Sequence, residues 1–295
     1  MGIKKVISFI VHHPISGHSK VKSVFRFFWW QFRGMLTSKN YIHQYTAHSK
    51  LIIAKGMTGA TGNLYCGLHE YKEMLFVLHF LRKDDLFLDI GANIGSFTVL
   101  ASAEVGAFTY CFEPLPETFL QLERNITLNN ISSKVAKFNI GLASQKGELV
   151  FTNEKDSSMN HVAMNANENS SSVKIEVDLL DNILNEKTPY LMKIDVEGFE
   201  LEVLKGAINT LKSETLKAII IELNGSGLNY GYKDEDIDIL LKSSGFDSYS
   251  YNPFDRTLTK AKLHDFDNLI YVRDLNFVMD RLSSASKVKI LDLDI

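Results

Sequence analysis

The segment DLFLDIGANIGSF, residues 85–97, constrains the fold more than any other part of the sequence. Residues 85–90 are a short apolar run typical of a buried strand, a loop with two glycines follows, and residues 96–103 have the apolar spacing of a helix. A strand, a glycine loop and a helix in this order form the first unit of an open α/β sheet. We therefore expect the rest of the chain to alternate strands and helices around a largely parallel sheet.

The chain after residue 97 continues this alternation. Its apolar runs predict further strands and helices, the strands over residues 108–112, 135–140, 190–194 and 216–223 and the helices over 117–129, 201–211 and 236–241. Residues 246–251 and 269–272 have strand patterns with no helix between them, so we expect an antiparallel pair at a sheet edge. The predicted fold class is an α/β, Rossmann-like sheet of seven strands, mostly parallel, with an antiparallel last strand.

Charge divides the chain into unequal parts. Residues 1–69 contain nine Lys and Arg and no Asp or Glu, whereas the remaining 226 residues contain 23 basic and 35 acidic side chains. We predict a basic N-terminal segment over residues 1–70, an α/β domain over 71–275 and a C-terminal tail over 276–295 without an assigned role. The basic segment is expected to face an anionic partner.

Residues 20–36, KVKSVFRFFWWQFRGML, predict an amphipathic helix within the basic segment. Two interpretations stay open, namely a helix that contacts anionic lipid or a phosphate-bearing substrate, and a helix packed on the domain with its arginines in solvent. No apolar run reaches the length of a bilayer span, and the run over residues 6–11 is too short for a signal peptide. We expect a cytoplasmic protein, with peripheral membrane contact through the basic aromatic helix as the open alternative.

The glycine loop is the candidate cofactor site, because ligands of open α/β sheets bind at the carboxyl ends of the strands. Gly91 and Gly95 can bring backbone amides close to a ligand, with Asn93 between them. The loop lacks the third glycine of a dinucleotide fingerprint. Asp89 would repel a pyrophosphate but attract the ammonium group of a methionine moiety. The loop therefore favours S-adenosylmethionine over a dinucleotide.

Two further residues follow strands and complete the predicted cofactor site. Glu113 ends the second strand, where its carboxylate can accept hydrogen bonds from both ribose hydroxyls. Asn139 ends the third strand and is placed for the adenine edge, although an exposed turn asparagine would explain it equally well.

These segments together resemble the FkbM family of methyltransferases, through FLDIGANIGSFT, FEP and LMKIDVEGFELEVLKGA in this order. The resemblance extends over about residues 64–222. It implies a class I methyltransferase sheet, S-adenosyl-L-methionine as cofactor, and methylation of a hydroxyl oxygen of a sugar, a glycan or a secondary metabolite. Polysaccharide biosynthesis is one context for such an activity.

Methyl transfer to a hydroxyl needs a group that takes up its proton. Asp195 ends the fourth strand beside the cofactor strand and is the leading catalytic candidate, with Lys193 on the same strand face as its partner. Between residues 147 and 177, two strand-like runs flank a polar stretch that we interpret as a substrate loop. His161 in that stretch is a further candidate base or sugar contact, with a solvated loop histidine as the alternative.

The ends of the fourth and fifth strands carry the predicted substrate contacts, Glu197, Glu222 and Asn224. Asp195 and Glu222 could also hold Mg²⁺ through oxygen ligands. For Glu197 the alternative is compensation of a helix dipole, and for Lys193 it is a structural ion pair.

Two other functions use the same features differently. An RNA methyltransferase or nucleic-acid-binding protein would use the basic segment, but the acidic main domain argues against nucleic acid as a partner. An NAD-dependent oxidoreductase would use the same sheet, but the sparse glycines argue against it.

Overall fold

The computed structural model describes residues 2–54, 56–152, 162, 172–266 and 268–295. The basic N-terminal segment consists of α1 (Ile3–His12), a 3₁₀ turn (Ser16–Ser19), α2 (Lys20–Leu36), the hairpin β1 (Tyr41–Gln44) and β2 (Lys50–Ile53), and α3 (Thr58–Cys66). The helix predicted over residues 20–36 is therefore confirmed.

The central part of the chain alternates strands and helices. In chain order these elements are α4 (Tyr71–Phe80), β3 (Leu86–Ile90), α5 (Ser96–Val99, continued by a π-helix over Leu100–Val105), β4 (Phe108–Phe112), α6 (Pro116–Leu128), β5 (Val135–Phe138), β6 (Gly141–Leu142), β7 (Gly147–Thr152), β8 (Ser172–Asp178), α7 (Leu180–Leu184), β9 (Leu191–Ile194), α8 (Glu200–Lys205), α9 (Ile208–Lys212) and β10 (Ala218–Glu222). The remaining elements are a 3₁₀ turn (Ser226–Tyr230), α10 (Asp234–Ser243), β11 (Asp247–Asn252), β12 (Thr257–Lys260), β13 (Asn268–Val272), α11 (Leu275–Ser284), β14 (Lys289–Ile290) and β15 (Leu293–Asp294).

An eight-stranded sheet of order β12-β11-β13-β10-β9-β3-β4-β5 forms the centre of the described chain. The strands from β10 to β5 are parallel, and β13 inserts antiparallel between β10 and β11. The predicted α/β, mostly parallel sheet with an antiparallel last strand is confirmed. The strand count was wrong by one, because Thr257–Lys260 pairs with β11 as an additional edge strand. This run is largely exposed and lacks an alternating apolar pattern, so its pairing partner defines it.

The order of the strands places a switch point at β3. The chain runs outward from β3 to β4 and β5 and then returns to β9 and β10 on the other side of β3. The carboxyl ends of β3, β4, β9 and β10 therefore surround one crevice, which is where such sheets bind ligands. The strands β6, β7 and β8 form a separate three-stranded sheet next to it, in which β7 and β8 pair antiparallel.

The two ends of the chain pack onto the same core. Ile10, Phe27 and Trp30 of the N-terminal helices are buried in one hydrophobic cluster with Phe76 and Phe87 of the domain. At the other end, α11 follows the sheet, and the guanidinium of its Arg281 pairs with the buried carboxylate of Asp85 just before β3. The C-terminal tail, to which the sequence assigned no role, thus contacts the start of the first parallel strand.

Candidate functional site

Two adjoining cavities open at the switch point. The apolar cavity, about 740 Å³, is lined by Ile90, Gly91, Asn93, Phe112, Glu113, Pro114, Leu115, Ile140, Gly141, Leu142, Phe151, Asp195, Val196, Glu197 and Phe199. The acidic cavity, about 880 Å³, is lined by Met57, Gly59, Ala60, Asn63, His69, Glu70, Met74, Gly91, Ala92, Asn93, Ile94, Ser96, Phe97, Lys193, Asp195, Glu197 and Glu222. Their shared lining residues are Gly91, Asn93, Asp195 and Glu197, so one ligand can extend from the apolar cavity into the acidic one.

The glycine loop packs closely against neighbouring chain segments, and the amides of both its glycines are hydrogen-bonded within the protein. Gly91 has a φ of +75°, and a Cβ there would lie 1.8 Å from the carbonyl oxygen of Asp195. The amide of Gly91 donates to the Phe112 carbonyl over 3.1 Å, and that of Gly95 donates to Ala92 over 2.8 Å. Glycine at position 91 is therefore needed to bring β9 against the loop.

Glu113 is a buried carboxyl that lines the apolar cavity. Its Oε2 accepts a hydrogen bond from the Asn93 amide over 2.9 Å, and its Oε1 accepts one from the Leu115 amide over 3.0 Å. The side chain is buried, and burial raises its pKa to about 7 although both amides favour the charged form. Each oxygen keeps a second lone pair, so the fixed carboxyl can still accept hydrogen bonds from a vicinal diol in the cavity.

A compact group of three carboxyls lies where the cavities adjoin, with two of them lining both cavities and Glu222 lining the acidic one. Asp195, Glu197 and Glu222 each present one oxygen within 4.8 Å of the others. Burial and then the charge of Asp195 raise the pKa of Glu197 to about 7 and that of Glu222 to about 8. The structure thus brings three of the predicted residues together at the ends of β9 and β10.

Lys193 supplies the positive charge beneath this group. Its Nζ lies 2.9 Å from Asp195 Oδ2 and 4.8 Å from the centre of the Phe97 ring. Burial opposes its charge, but Asp195, Asp89 and Glu70 outweigh burial and raise the pKa of Lys193 above its usual range. Lys193 is therefore a charged donor that holds the Asp195 carboxylate at the boundary of the cavities.

Four predicted residues line neither cavity. Asp89 is fully buried, and its Oδ2 accepts a hydrogen bond from Thr98 over 2.6 Å. Gly95 lies against Leu122, where a Cβ would be 2.5 Å from Cδ1. Asn139 donates to the carbonyls of Glu113 and Pro114, each over 2.9 Å, and Asn224 is exposed and accepts from the Ser226 amide. A fifth predicted residue, His161, lies outside the residues that the structure describes.

Two further carboxyls, which were not predicted from the sequence, shape this site, Glu70 and Glu200. Glu70 lines the acidic cavity from the start of α4, and burial followed by the charge of Asp195 raises its pKa to about 7. Glu200 accepts hydrogen bonds from the Val196 and Gly198 amides and so fixes the turn that carries Glu197. In the sequence, both resemble the acidic residues that commonly occur near the start of a helix. For Glu200, the acidic run over residues 195–200 was the one sequence feature that could have indicated a role in the site.

The chain matches the Methyltransferase FkbM domain over residues 89–248, which is more than half of its length. The hexuronic acid methyltransferase AglP of Haloferax volcanii is 32% identical over 164 residues, which cover 55% of this chain and 64% of that protein. The chain therefore spans less than two thirds of that relative's length. Methyltransferase 1 of Beauveria bassiana is 28% identical over 186 residues, which cover 55% of this chain and 72% of the relative.

Among solved structures, a TehB-like SAM-dependent methyltransferase from Corynebacterium glutamicum superimposes with a TM-score of 0.41 at 11% identity, covering 74% of this chain and 95% of that one. A likeness at this level carries no argument about activity.

Proposed function

The chain belongs to the FkbM methyltransferase family, as its sequence resemblance predicted, and from this premise we propose that it transfers a methyl group from S-adenosylmethionine to a hydroxyl oxygen. The proposed acceptor is a sugar or glycan hydroxyl, and a hydroxyl of a secondary metabolite is the second candidate. The observation that carries the proposal is that an apolar cavity lined by Glu113 adjoins an acidic cavity, with Asp195 and Glu197 lining both.

We propose that the apolar cavity takes the adenosine part of the donor. Phe112, Ile140 and Phe151 offer the apolar surface that an adenine ring needs, and the fixed Glu113 carboxyl offers acceptors for the ribose hydroxyls. The sulfonium donor supplies an activated methyl group. Asp89 would support this site indirectly, because its buried carboxyl favours the charge of Lys193 rather than lining a cavity.

The acidic cavity is the proposed place of the acceptor. The acceptor oxygen would form the new bond to the methyl carbon as the carbon–sulfur bond breaks, and Asp195 would take up the hydroxyl proton. Lys193 orients that carboxylate through the 2.9 Å contact, and alignment of the reacting groups can contribute about 7–11 kcal/mol. Glu197 and Glu222, with pKa values of about 7 and 8, can donate to or accept from neighbouring hydroxyls near neutral pH.

Charge in the acidic cavity constrains the acceptor further. Glu70, Asp195, Glu197 and Glu222 line it together with Lys193, so carboxyls outnumber the cation. Burial and the charge of Asp195 already disfavour the ionised forms of Glu70, Glu197 and Glu222, so a further carboxylate on the acceptor ring would be unfavourable as well. We therefore propose a neutral sugar ring as the acceptor here, although the relative from Haloferax volcanii is named for a hexuronic acid.

The Mg²⁺ site predicted on Asp195 and Glu222 stays a prediction. The carboxylate oxygens are near enough to share a cation, and Glu197 would add a third ligand. Lys193, however, already bonds the Asp195 oxygen and supplies a positive charge there, so the proposed proton transfer is assigned to the chain's own residues.

The test combines donor binding with turnover. Isothermal titration with S-adenosylhomocysteine should show binding that Glu113→Gln weakens roughly ten- to hundred-fold, because charge-assisted hydrogen bonds to the ribose are lost. Glu117→Gln, an exposed carboxyl on α6, is the matched control and should leave affinity unchanged. With S-adenosylmethionine, a neutral hexoside should be methylated faster than the corresponding hexuronide, measured by mass spectrometry.

Several results would contradict these proposals. Equal affinity of Glu113→Gln and the unchanged chain would remove the ribose assignment. Preference for the hexuronide would refute the neutral acceptor while leaving methyl transfer intact. Binding of NADH without S-adenosylhomocysteine, or salt-sensitive retention on RNA with methylation of that RNA, would favour one of the alternative functions.

We further propose that the chain works in contact with a membrane, where a lipid-linked glycan would present its hydroxyls. Among the residues that the structure describes, no helix is both long and apolar enough to cross a bilayer. The candidate for this contact is α2, the helix that the sequence indicated.

A further inference from the structure

Helix α2 exposes a continuous stripe of large apolar side chains. The exposed fractions are 85% for Val21, 67% for Phe25, 52% for Phe28, 61% for Phe32 and 81% for Met35. These positions follow one another by four, three, four and three residues, so they lie on one face of the helix. Large contiguous apolar surfaces of this kind mark interaction sites on folded proteins.

The opposite face of α2 is packed, which fixes the direction of the stripe. Ser23, Phe27 and Trp30 are buried, and the Ser23 hydroxyl donates to the Ser16 carbonyl over 3.0 Å. The guanidinium of Arg26 donates to the Tyr65 carbonyl over 2.9 Å and joins α2 to α3. The stripe is therefore the outward face of a helix whose other face packs on the domain, as the second interpretation from sequence expected, except that Arg26 is part-buried.

Charge selects the partner of the stripe. Residues 1–69 carry nine basic side chains and no acidic one. Lys20 and Lys39 are exposed near the two ends of α2, and Lys22 forms an exposed ion pair with Asp292. A second copy of the same face would bring like charges together, whereas an anionic lipid surface would be attracted.

We propose that α2 docks this protein on an anionic lipid bilayer, with the stripe from Val21 to Met35 inserted at the level of the lipid head groups and the basic side chains against the lipid phosphates. This inference rests on the membrane contact proposed above and is independent of methyl transfer. It assigns the partner as an anionic bilayer and the contact surface as one face of one helix.

The test is co-sedimentation of the full chain with vesicles of phosphatidylcholine alone and of phosphatidylcholine mixed with phosphatidylglycerol. Binding should require the anionic lipid and weaken in high salt. The double variant Phe25→Ser/Phe32→Ser should bind about ten-fold less tightly or worse, because two inserted rings are lost. The matched control Leu228→Ser/Ile239→Ser removes two equally exposed apolar side chains elsewhere, at 64% and 65%, and should bind normally.

Equal binding by both double variants, or no binding to either vesicle, would overturn the proposal. A concentration-dependent dimer that Phe25→Ser/Phe32→Ser abolishes, seen by analytical ultracentrifugation without vesicles, would assign the stripe to a second copy instead. Thermal melting checks that each variant folds. Methylation of an acceptor free in solution should be unchanged in Phe25→Ser/Phe32→Ser, so failure of docking and failure of methyl transfer are distinguishable.

Discussion

Replacing Lys193 with Met tests whether this buried cation holds the site together. The side chain is 6% exposed and lies in register beside Asp89, which is fully buried. Its ion pair is with Asp195, and its charge also acts on buried Asp89, so its removal leaves that carboxyl uncompensated, which for a buried pair typically costs about 3–5 kcal/mol. We expect a loss of this size in the free energy of unfolding, measured with urea near pH 8. Lys205→Met, which breaks an exposed pair with Glu202, should cost about 0–1 kcal/mol.

The pH dependence separates a charge effect from a packing effect. Burial already raises the pKa of Asp89, and loss of the Lys193 charge should raise it further. A carboxyl with a raised pKa stabilises the fold at low pH and loses that contribution as pH rises through the pKa. The difference between Lys193→Met and the unchanged chain should therefore be smaller at a lower pH than near pH 8.

A double variant completes this test. Lys193→Met/Asp89→Asn removes the carboxylate together with its cation, and should recover roughly 1–2 kcal/mol relative to Lys193→Met alone. A destabilisation that is identical at both pH values and that Asp89→Asn does not relieve would refute the electrostatic role. Such a result would leave Lys193 as a packing residue whose stem fills the space beside Phe97.

Three further predictions concern the site. Asp195→Asn should bind S-adenosylhomocysteine normally but lower kcat about 10²–10⁴-fold in a methylation assay, and an unchanged kcat would exclude Asp195 as the base. Gly91→Ala should lower the free energy of unfolding by at least ~3 kcal/mol, because its Cβ would lie 1.8 Å from the Asp195 carbonyl, whereas Gly147→Ala has open space and should cost under ~0.5 kcal/mol in urea. The pKa of Glu222 is raised from 4.5 to about 8, so it stabilises the fold below about pH 4.5 and this contribution is lost up to about pH 8. Glu222→Gln should flatten the fall in Tm over that range, and an unchanged slope would assign the titration to another group.

The sequence predicted the α/β sheet and the family because these depend on local pattern. Residues 85–97 identified the first strand, its loop and its helix, and the structure has β3 and α5 at those positions. The short polar strand β12 was missed because it has no apolar alternation of its own and forms through pairing with β11. Of the stretch between residues 147 and 177, interpreted as a substrate loop, the structure describes 147–152, 162 and 172–177, and His161 lies outside the described residues.

Side-chain direction is what the sequence could not determine at the site. Asp89 lies one residue before the end of β3, on the strand face opposite to Leu88 and Ile90, and this places it beside Lys193 rather than in a cavity. Glu70 precedes β3 by 16 residues, and only the packing of α4 brings it into the acidic cavity.

The amino-acid sequence by itself determined that glycine and carboxyl residues lie at the ends of the parallel strands, and therefore at one edge of the sheet. It also determined that a basic, aromatic helix precedes these strands in the chain. Tertiary structure decided which of these carboxyls share one cavity and which face of that helix remains exposed. The physical reason is that strand order and register bring together residues far apart in the chain, and their mutual charge and burial then determine pKa values that no local pattern contains.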